Sequence, residues 1–515
     1  MRNITNFNRD WLFLLEDKAE FAKEGIEEGA FRRLSLPHDW SVDYPPEETE
    51  ATGGGGGYGK SGTAWYRKHF MLDGIAEDEK LYLYFEGIYM DSTIYINGMK
   101  AGGHGYGYTS FYVDISSFVR EGENLAAVRV NNSLVPNSRW YSGSGIYRDV
   151  YLVRTNEVHF DHFGVRCATN GLYPEQDMAS LQIRSRVRND SEKPVNTGVL
   201  HKVYDSDGRM VSVSGTALSL RAGETGDCMV RPNVEAPHLW TDEDPYLYTL
   251  VSTVIADGKE TDSVTCRIGI RTACFDSEKG FLLNGKTVKI KGMCLHHDCG
   301  LTGAVGLRES WERRLKTLKD MGCNGIRCSH NPPAPVLLDL CDELGFLVMD
   351  EAFDEWLLAK NKTDNYYSEA LAYGSSMFFD RHAKEDLTAM LRRDFNHPSV
   401  VIWSIGNEIP EQSSLDGVKL LKYLQDICHE EDSGRMVTSA CDNIAAVESI
   451  RTLREFENAL DVVGYNYVGR WRERAETFYE EDRTAYPQRR MIGTENPSAG
   501  GVRGDYSLDG GFRNY

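Results

Sequence analysis

Residues 325–350 read GIRCSHNPPAPVLLDLCDELGFLVMD and show the pattern that decides the fold of the second half of the chain. A short apolar strand at 325–329 precedes an amphipathic helix near 334–344, and a second apolar strand follows at 346–350. Repeated strand–helix units of this size predict parallel strands, and the closed form that fits them best is a (β/α)8 barrel. The same rhythm continues from residue 288 to 494, where about seven strands occur.

The predicted barrel lacks its last strand. Only 20 residues follow Glu495, and they are rich in Gly, Asn and Asp. An open barrel exposes two parallel strand edges, which favour aggregation or pairing with another chain. We therefore expect the barrel domain, assigned to residues 273–515, to be truncated.

Two β-rich regions precede the barrel. Residues 1–155 contain short strands separated by Gly, Asn and Ser, with an Asn97-Gly98 hairpin turn, and they predict a β-sandwich. Residues 156–272 contain about seven alternating runs, such as 181–187, and they predict an immunoglobulin-like sandwich.

Composition excludes several classes of function. The 515 residues include 57 basic and 78 acidic side chains, a formal charge of −21 that repels nucleic-acid backbones and anionic membranes. No apolar run approaches the roughly 20 residues of a membrane helix. The 11 scattered cysteines form no C-x-x-C pair, which indicates reduced thiols and predicts a cytoplasmic location. The net charge does not decide whether the chain forms a homo-oligomer.

Two glutamates are the central candidates for chemistry. Glu408 and Glu495 each follow an apolar run closely, at the strand ends where barrels of this type place their active sites. Retaining hydrolysis of a glycosidic bond uses two carboxyl groups about 5–5.5 Å apart, one as acid/base and one as nucleophile. Glutamates on strands across the barrel mouth can meet that spacing. Ordinary exposed glutamates at strand ends are the alternative.

Other polar strand ends surround this pair, and each has a structural alternative. Arg327 and His330 can hold a carboxylate nucleophile, or they belong to a buried structural ion pair. His296 and Asp298 are close together at a strand end, with a satisfied core histidine as the alternative. Tyr467 can hydrogen-bond the nucleophile or act as a packing aromatic.

Side chains that can contact a sugar form a further group. Asn407 precedes Glu408 and can bind a sugar hydroxyl. Trp356 and Trp403 offer flat faces for a sugar ring, although Trp403 lies within a strand and is better explained as core.

Two local patterns do not indicate the sites that they superficially match. Residues 54–61, GGGGYGKS, fit the P-loop pattern, but a strand-like run follows them where a P-loop requires a helix. His296, His297, Cys294 and Cys299 cluster locally, but their spacing matches no zinc pattern, and no metal site is predicted from them.

Together these blocks resemble glycoside hydrolase family 2 over essentially the whole chain. Residues 396–408, NHPSVVIWSIGNE, resemble the acid/base signature of the family, and 327–333 and 349–356 resemble two further blocks. Residues 36–40 and 143–150 are similar to the sugar-binding N-terminal domain. The resemblance implies a jelly-roll domain, an immunoglobulin-like sandwich and a TIM barrel, in that order.

The resemblance also implies roles for the strand-end residues. Glu408 corresponds to the general acid/base and Glu495 to the nucleophile. The residues implied to line the sugar subsite are Asn407, His296, Asp298, Arg327, His330, Asn466 and Tyr467.

The resemblance is strongest to the shorter β-galactosidases, on residues 291–298, 105–111 and 493–495. It implies a retaining glycosidase that acts on terminal β-D-galactosides. A β-glucuronidase or β-mannosidase, and a non-catalytic carbohydrate-binding remnant if the chain ends at 515, stay open as alternatives. No cofactor is certain, because the large β-galactosidases bind magnesium and sodium ions, and Leu357 stands where they have a magnesium-binding His.

Overall fold

The N-terminal region is a jelly-roll sandwich of two antiparallel sheets, with strand orders β1-β10-β5-β8 and β3-β2-β4-β9-β6-β7. The computed structural model describes residues 1–363, 373–444, 450–468 and 477–496. The strands are β1 Asn3–Asn6, β2 Trp11–Leu14, β3 Arg32–Leu34, β4 Gly62–Leu72, β5 Glu79–Phe85, β6 Ser92–Ile96, β7 Met99–His104, β8 Phe111–Asp114, β9 Gly122–Asn132 and β10 Val150–Asn156.

Alternation of apolar side chains places the core between these two sheets. Ile94 and Ile96 of β6 point inward on one sheet, and Leu81 and Leu83 of β5 do so on the other. Trp11 is completely buried in the same cluster. The side chains between these positions, Tyr95 and Tyr82, point to the opposite faces of their sheets, as the period of a strand requires, and pack in separate clusters.

The second region is an immunoglobulin-like sandwich, as the sequence predicts. One sheet has the order β11-β12-β15, with β16 also pairing β12, and the other has the order β14-β13-β17-β18. The strands are β11 Val158–Tyr173, β12 Met178–Asn189, β13 Val195–Tyr204, β14 Met210–Leu220, β15 Thr225–Val230, β16 Asn233–Glu235, β17 Tyr248–Ala256 and β18 Lys259–Ile268. The predicted domain boundaries at 155 and 272 stay predictions.

The third region is a nearly closed barrel of seven parallel strands in sequential order, β22 to β28. A small antiparallel sheet precedes it, formed by β19 Ala273–Asp276, β20 Gly280–Leu283 and β21 Lys286–Thr287. The barrel strands are β22 Gly292–Leu295, β23 Gly325–Cys328, β24 Leu347–Glu351, β25 Val400–Asn407, β26 Met436–Cys441, β27 Val462–Asn466 and β28 Met491–Glu495. The helices are α1 Arg308–Asp320, α2 Pro335–Leu344, α3 Ser376–Asp394, α4 Leu415–Glu431, α5 Arg454–Ala459 and α6 Phe478–Ala485.

The first barrel strand differs from the sequence-based prediction. The apolar run at 288–292 suggests the strand, but the pairing with β23 begins only at Gly292 and continues to Leu295. Residues 286–287 still pair with β20, so the chain uses 288–291 to cross from that small sheet into the barrel. The segment after residue 496, where the sequence predicts no further strand, lies outside the described residues.

The two sheet edges of the barrel approach each other without an intervening described strand. The Sγ atom of Cys294 on β22 lies 3.3 Å from the carbonyl oxygen of Thr494 on β28. The apolar side chains of Phe275 and Phe281 pack with Val401 at the other end of the barrel interior.

The N-terminal sandwich docks over the barrel mouth through polar contacts. Nη2 of Arg148 donates to the carbonyl oxygen of Pro332 at 2.8 Å. The Tyr106 hydroxyl donates to the carbonyl oxygen of Ala352, also at 2.8 Å. Both acceptors lie in loops that follow barrel strands, so this docking orients the rim of the mouth. In the described parts of the chain, no helix combines the length and apolar character needed to cross a membrane.

Trp240 packs between the immunoglobulin-like sandwich and the barrel, and its removal tests this interface. The indole is fully buried in a cluster with Leu347 and Val401, and Nε1 donates to the carbonyl oxygen of Asp342 at 3.0 Å. We expect Trp240→Ala to lower the free energy of unfolding by about 3–5 kcal/mol, measured by thermal denaturation of the whole chain. Met210→Ala, at a half-exposed position of β14, is the control and should change it by less than about 0.5 kcal/mol. Equal effects of the two substitutions would contradict the assigned role.

Candidate active site

The carboxyl ends of the barrel strands bring the predicted polar side chains to one edge. Arg327 lies in β23, Asn407 ends β25, Asn466 ends β27 and Glu495 ends β28. Glu408 follows β25 directly. Because neighbouring strands are parallel, these ends share the mouth of the barrel, and the hydrogen bonds described below connect all five side chains.

Glu495 is paired with a buried cation. Its Oε1 atom accepts a hydrogen bond of 2.5 Å from Nη1 of Arg327, and Nε2 of His330 lies 3.6 Å away. Burial acts to raise the pKa of this carboxyl, but the charges of Arg327 and His330 and hydrogen bonds from Tyr467 and Arg327 outweigh burial and leave the pKa below its usual value. Glu495 is therefore ionised at neutral pH, which a carboxylate nucleophile requires.

Arg327 is fixed in place by a second carboxylate. Its Nη2 atom donates to Glu351 at 2.8 Å and to Oδ1 of Asn407 at 2.9 Å, and its Nε donates to Glu351 at 3.1 Å. Glu351 is completely buried at the end of β24 and also accepts from Ser404 at 2.6 Å. This two-point pairing sets the plane of the guanidinium, so Nη1 faces Glu495.

Glu408 lies beside this group in an environment that disfavours its charge. Its Oε1 accepts a hydrogen bond of 3.1 Å from Nδ2 of Asn466, and its Oε2 lies 3.7 Å from Nη1 of Arg139. Burial raises the pKa of Glu408, and the charges of Lys360 and Arg139 oppose this without cancelling it. A carboxyl with a raised pKa keeps its proton to higher pH, which suits a general acid.

The backbone at Glu408 has an unusual conformation of the kind found at functional sites. Its φ angle is +46°, in the left-handed region that residues other than glycine rarely adopt. Its amide nitrogen donates to the carbonyl oxygen of Ala440 on β26 at 2.7 Å. Strained backbone of this kind persists only where surrounding contacts hold it, and it clusters at functional sites.

Two amide side chains connect the strands that carry the glutamates. Nδ2 of Asn466 donates to Oδ1 of Asn407 at 3.2 Å, and Oδ1 of Asn466 accepts from the Thr494 hydroxyl at 2.5 Å. Nδ2 of Asn407 donates to Asp354 at 3.0 Å. These bonds fix both amides, so Glu408 and Glu495 are held by one continuous network.

A cavity of about 1210 Å³ opens beside Arg327 and Glu495 and continues into the barrel interior, and Glu408, Asn407 and Asn466 are not among the described residues that line it. Its apolar walls come from the strands, and its polar rim lies at the mouth. The site residues that line it include Arg139, Trp140, His296, Arg327, His330, Tyr467 and Glu495.

His296, Tyr467 and Asp298 take different positions relative to this cavity. The His296 ring lies 5.2 Å from that of His330 and 5.5 Å from that of Trp140, and its Nδ1 has no partner among the described residues, unlike a satisfied core histidine. The Tyr467 amide donates to the carbonyl oxygen of Glu495 at 2.6 Å. Asp298 is half-buried in the loop after β22 and is not one of the described residues that line the cavity.

The prediction that Trp356 stacks on a sugar is wrong. Its side chain is 0% exposed, and its Nε1 donates to the carbonyl oxygen of Ile405 at 2.8 Å. It packs against Phe379 and Phe456 in the core between strands and helices. Among the described residues that line the cavity, the tryptophan is Trp140, which the N-terminal sandwich provides.

Sequence reasoning missed four residues that contact the site. Arg139 and Trp140 lie in an N-terminal loop, and Asp354 and Lys360 lie after β24. Asp354 pairs with Arg139, 215 positions away, at 2.7 Å, and with Lys360 at 2.8 Å. No local periodicity signals such contacts. The only usable signal is the position of Asp354 in the 349–356 block.

One group of potential metal ligands lies away from this mouth. In the described part of the chain, Asp339, Asp342 and His397 have ligand atoms within 4.8 Å of one another. Nδ1 of His397 pairs with Asp342 at 2.6 Å, and the Ser399 amide donates to the same carboxylate at 3.0 Å. The group sits at the opposite end of β25 from Glu408, and its hydrogen bonds account for Asp342 without an ion.

Fold and site together define a three-domain protein whose barrel mouth carries paired glutamates. The sequence profile described as "Glycosyl hydrolases family 2, TIM barrel domain" matches residues 276–497. The profiles "Glycosyl hydrolases family 2" and "Glycosyl hydrolases family 2, sugar binding domain" match 168–271 and 56–156. The chain belongs to glycosyl hydrolase family 2, as the sequence motifs predict.

Relatives with assigned names carry two kinds of activity. The chain is 37% identical to "Beta-galactosidase BoGH2A" of Bacteroides ovatus, covering 98% of this chain and 61% of that protein. It is 34% identical to a "Putative beta-glucuronidase" of Formosa agariphila, covering 98% of this chain and 44% of that protein. The chain therefore spans about two fifths to three fifths of the length of these relatives.

Similar solved structures also include a glycosyl hydrolase family 2 member and a protein named as a β-glucuronidase. A glycosyl hydrolase family 2 member from Bacteroides cellulosilyticus matches with a TM-score of 0.87 and 37% identity, over 96% of this chain and 61% of that one. The "Bacteroides uniformis beta-glucuronidase 2 covalently bound to cyclophellitol-6-carboxylate aziridine" matches with a TM-score of 0.78 and 27% identity, over 96% and 59%.

The opposite pKa shifts of the two glutamates predict opposite stability effects. Glu408 has a raised pKa, so its ionised form destabilises the fold at neutral pH, and Glu408→Gln should raise the free energy of unfolding. Glu495 has a lowered pKa and stabilises the fold above its unfolded pKa, so Glu495→Gln should reduce the free energy of unfolding at pH 7. Both effects should fall within the roughly 0.5–3 kcal/mol typical of single substitutions.

Denaturation at several pH values checks this contrast. As the pH falls through the folded pKa of each glutamate, the protein takes up the proton that glutamine mimics, and the difference from the parent chain should shrink. Effects of the same sign at pH 7 would contradict the assigned charge states.

Proposed function

We propose that this chain carries the catalytic site of a retaining β-glycosidase, with Glu408 as acid/base and Glu495 as nucleophile. The proposal rests on two carboxyl groups at one barrel mouth that are linked by hydrogen bonds and whose pKa values are shifted in opposite directions. Glu495 is paired with Arg327 and has a lowered pKa, whereas Glu408 is buried and has a raised pKa. Pairs of carboxyls with separated pKa values are typical of acid/base and nucleophile assignments.

In the first step, the ionised Glu495 attacks the anomeric carbon while the bond from that carbon to the leaving oxygen breaks. Glu408 gives its proton to that oxygen, so the aglycone leaves as a neutral alcohol. A covalent glycosyl–Glu495 ester and an ionised Glu408 result. Arg327 keeps Glu495 ionised before attack, and its fixed plane holds the attacking oxygen in place.

In the second step, Glu408 acts as a base. It takes a proton from water while the water oxygen attacks the anomeric carbon, and the ester bond to Glu495 breaks. The sugar leaves with its original anomeric configuration, Glu495 is again ionised, and Glu408 is again protonated. The hydrogen bond from Asn466 holds the Glu408 carboxylate between the two steps.

The proposed substrate is a terminal β-D-galactoside. This narrower proposal is supported by the name of the 37% identical relative and by the blocks that resemble shorter β-galactosidases. Relatives named as β-glucuronidases make a β-glucuronide the competing substrate. Initial rates on matched aryl β-galactosides, β-glucuronides and β-mannosides decide between them, and preference for either of the latter two would overturn the galactoside assignment.

Substitution of the two glutamates tests the mechanism. We expect Glu408→Gln to reduce kcat by about 10²–10⁴-fold, the usual contribution of a general acid/base. Glu495→Gln should abolish turnover, because no covalent intermediate can form. NMR of the first product should show a retained β anomer.

Added azide separates the two roles. Azide can replace water in the second step without base assistance, so the Glu408→Ala variant should yield a β-glycosyl azide. Glu457→Gln is a matched control, because Glu457 is buried and paired with Arg489 at 2.9 Å outside the network. Near-parent turnover of Glu495→Gln, or an inverted product, would refute the mechanism.

A further inference from the structure

A loop of the N-terminal sandwich places a cation against the proposed acid/base. Arg139 lines the cavity, and its Nη1 atom lies 3.7 Å from Oε2 of Glu408. Its Nη2 and Nε atoms contact the two carboxylate oxygens of Asp354 at 2.7 and 3.3 Å. Arg139 thus uses one side of its guanidinium for an anchor in the barrel and presents the other side to Glu408.

We propose that Arg139 is a positioning residue for Glu408, so that the N-terminal sandwich forms part of the catalytic centre. This inference rests on the function proposed above. Arg139 acts through the carboxyl group of Glu408, and it contributes by fixing a positive charge at a constant distance from that group.

The anchor of Arg139 is itself immobilised. Asp354 is buried and also accepts from Nζ of Lys360 at 2.8 Å and from Nδ2 of Asn407 at 3.0 Å. A two-point Arg–carboxylate pair fixes the guanidinium plane as well as its distance. The Arg139 charge therefore cannot turn away from Glu408 without breaking its hydrogen bonds to Asp354.

The distance to Glu408 suits a group that must change charge twice in each cycle. At 3.7 Å the contact is an ion-pair distance but too long for a hydrogen bond. Glu408 therefore stays free to give its proton to the leaving oxygen. Once ionised, it faces a positive charge that stabilises it until water supplies a proton.

The electrostatics of the site agree with this role. Burial raises the pKa of Glu408 most strongly, Lys360 and Arg139 lower it, and Asp442 and Glu495 raise it further. Without Arg139, the balance moves toward a higher pKa and a weaker acid. A general acid works best with a pKa near the working pH, so a cation that limits the rise assists the first step.

The glycine-rich run at 54–61 supports the loop that carries Arg139. A Cβ at Gly55 would lie 3.4 Å from the Arg139 carbonyl group, and one at Gly57 would lie 3.2 Å from the Tyr141 ring. Gly57 also has a φ of +64°. The P-loop-like pattern is thus a packing surface beneath 139–141, and β4, not a helix, follows it.

Leaving-group dependence is the readout that separates positioning from structure. We expect Arg139→Met to reduce kcat/KM on the order of tenfold for a phenyl glycoside, which needs protonation of its leaving oxygen. A dinitrophenyl glycoside leaves without protonation and should react at near-parent rates. The basic limb of the kcat/KM pH profile should move upward. Arg139→Lys keeps the charge and should restore the limb in part.

Arg129→Met is the matched control. Arg129 lies in the same sandwich and forms a two-point pair with Asp17 at 2.9 and 2.6 Å, and its side chain is 27% exposed against 32% for Arg139. It should leave both the pH profile and the leaving-group dependence unchanged. Equal losses on both glycosides with an unmoved basic limb in Arg139→Met would overturn the proposal, as would parent-like behaviour on both.

A titration that needs no turnover separates this inference from the proposed function. Carbon-13 NMR of glutamate-labelled protein, assigned with Glu408→Gln, should show a higher Glu408 pKa in Arg139→Met than in the parent chain. If the parent chain lacks activity, the proposed function fails while this titration still decides the role of Arg139. If Arg139→Met does not fold, Arg139→Gln gives the same reading, and an unchanged Glu408 pKa overturns the proposal.

Discussion

The buried guanidinium of Arg327 is the interaction on which the barrel mouth depends. A buried cation is tolerated only when it is paired and hydrogen-bonded, and Arg327 satisfies this with Glu351, Asn407 and Glu495. Glu351 is enclosed and stays paired throughout, so it neutralises the cation permanently. The ion pair of Arg327 with Glu495 faces the cavity, so a substrate at the mouth can reach Glu495. Removal of Arg327 would leave the buried Glu351 carboxylate without its cation.

The two glutamates differ because their nearest fixed charges differ, although both are largely buried. Glu495 meets a cation at hydrogen-bond distance, whereas Glu408 meets an amide at that distance and cations only further away. Both carboxyl groups are desolvated to a similar degree, so their distances from positive charge decide which of them ionises at the lower pH. The N-terminal sandwich takes part in this distinction because its docking contacts at Pro332 and Ala352 hold its loops over the mouth.

How far the sequence leads depends on whether a feature is local. The barrel helices and most strands follow from short-range periodicity, and α2 begins one residue from its predicted start. The first strand is displaced because its register is set by pairing with β23, which no local pattern encodes. The prediction that Trp356 stacks on a sugar is wrong because its buried indole donates to the carbonyl oxygen of Ile405, a contact that no local pattern encodes. Arg139 could not be predicted, because its partner lies in another domain.

The ion pair between Arg327 and Glu495 also has a structural consequence at the sheet edges. Arg327 lies on β23, next to the first strand of the sheet, and Glu495 ends β28, the last strand of the sheet among the described residues. Their contact therefore spans the gap between the two edges, together with the contact from Cys294 to Thr494. Curvature of the sheet brings the strand ends to one mouth. The Arg327–Glu495 ion pair therefore sets the charge of Glu495 and also helps to keep the end of β28 near the end of β25, where Glu408 lies.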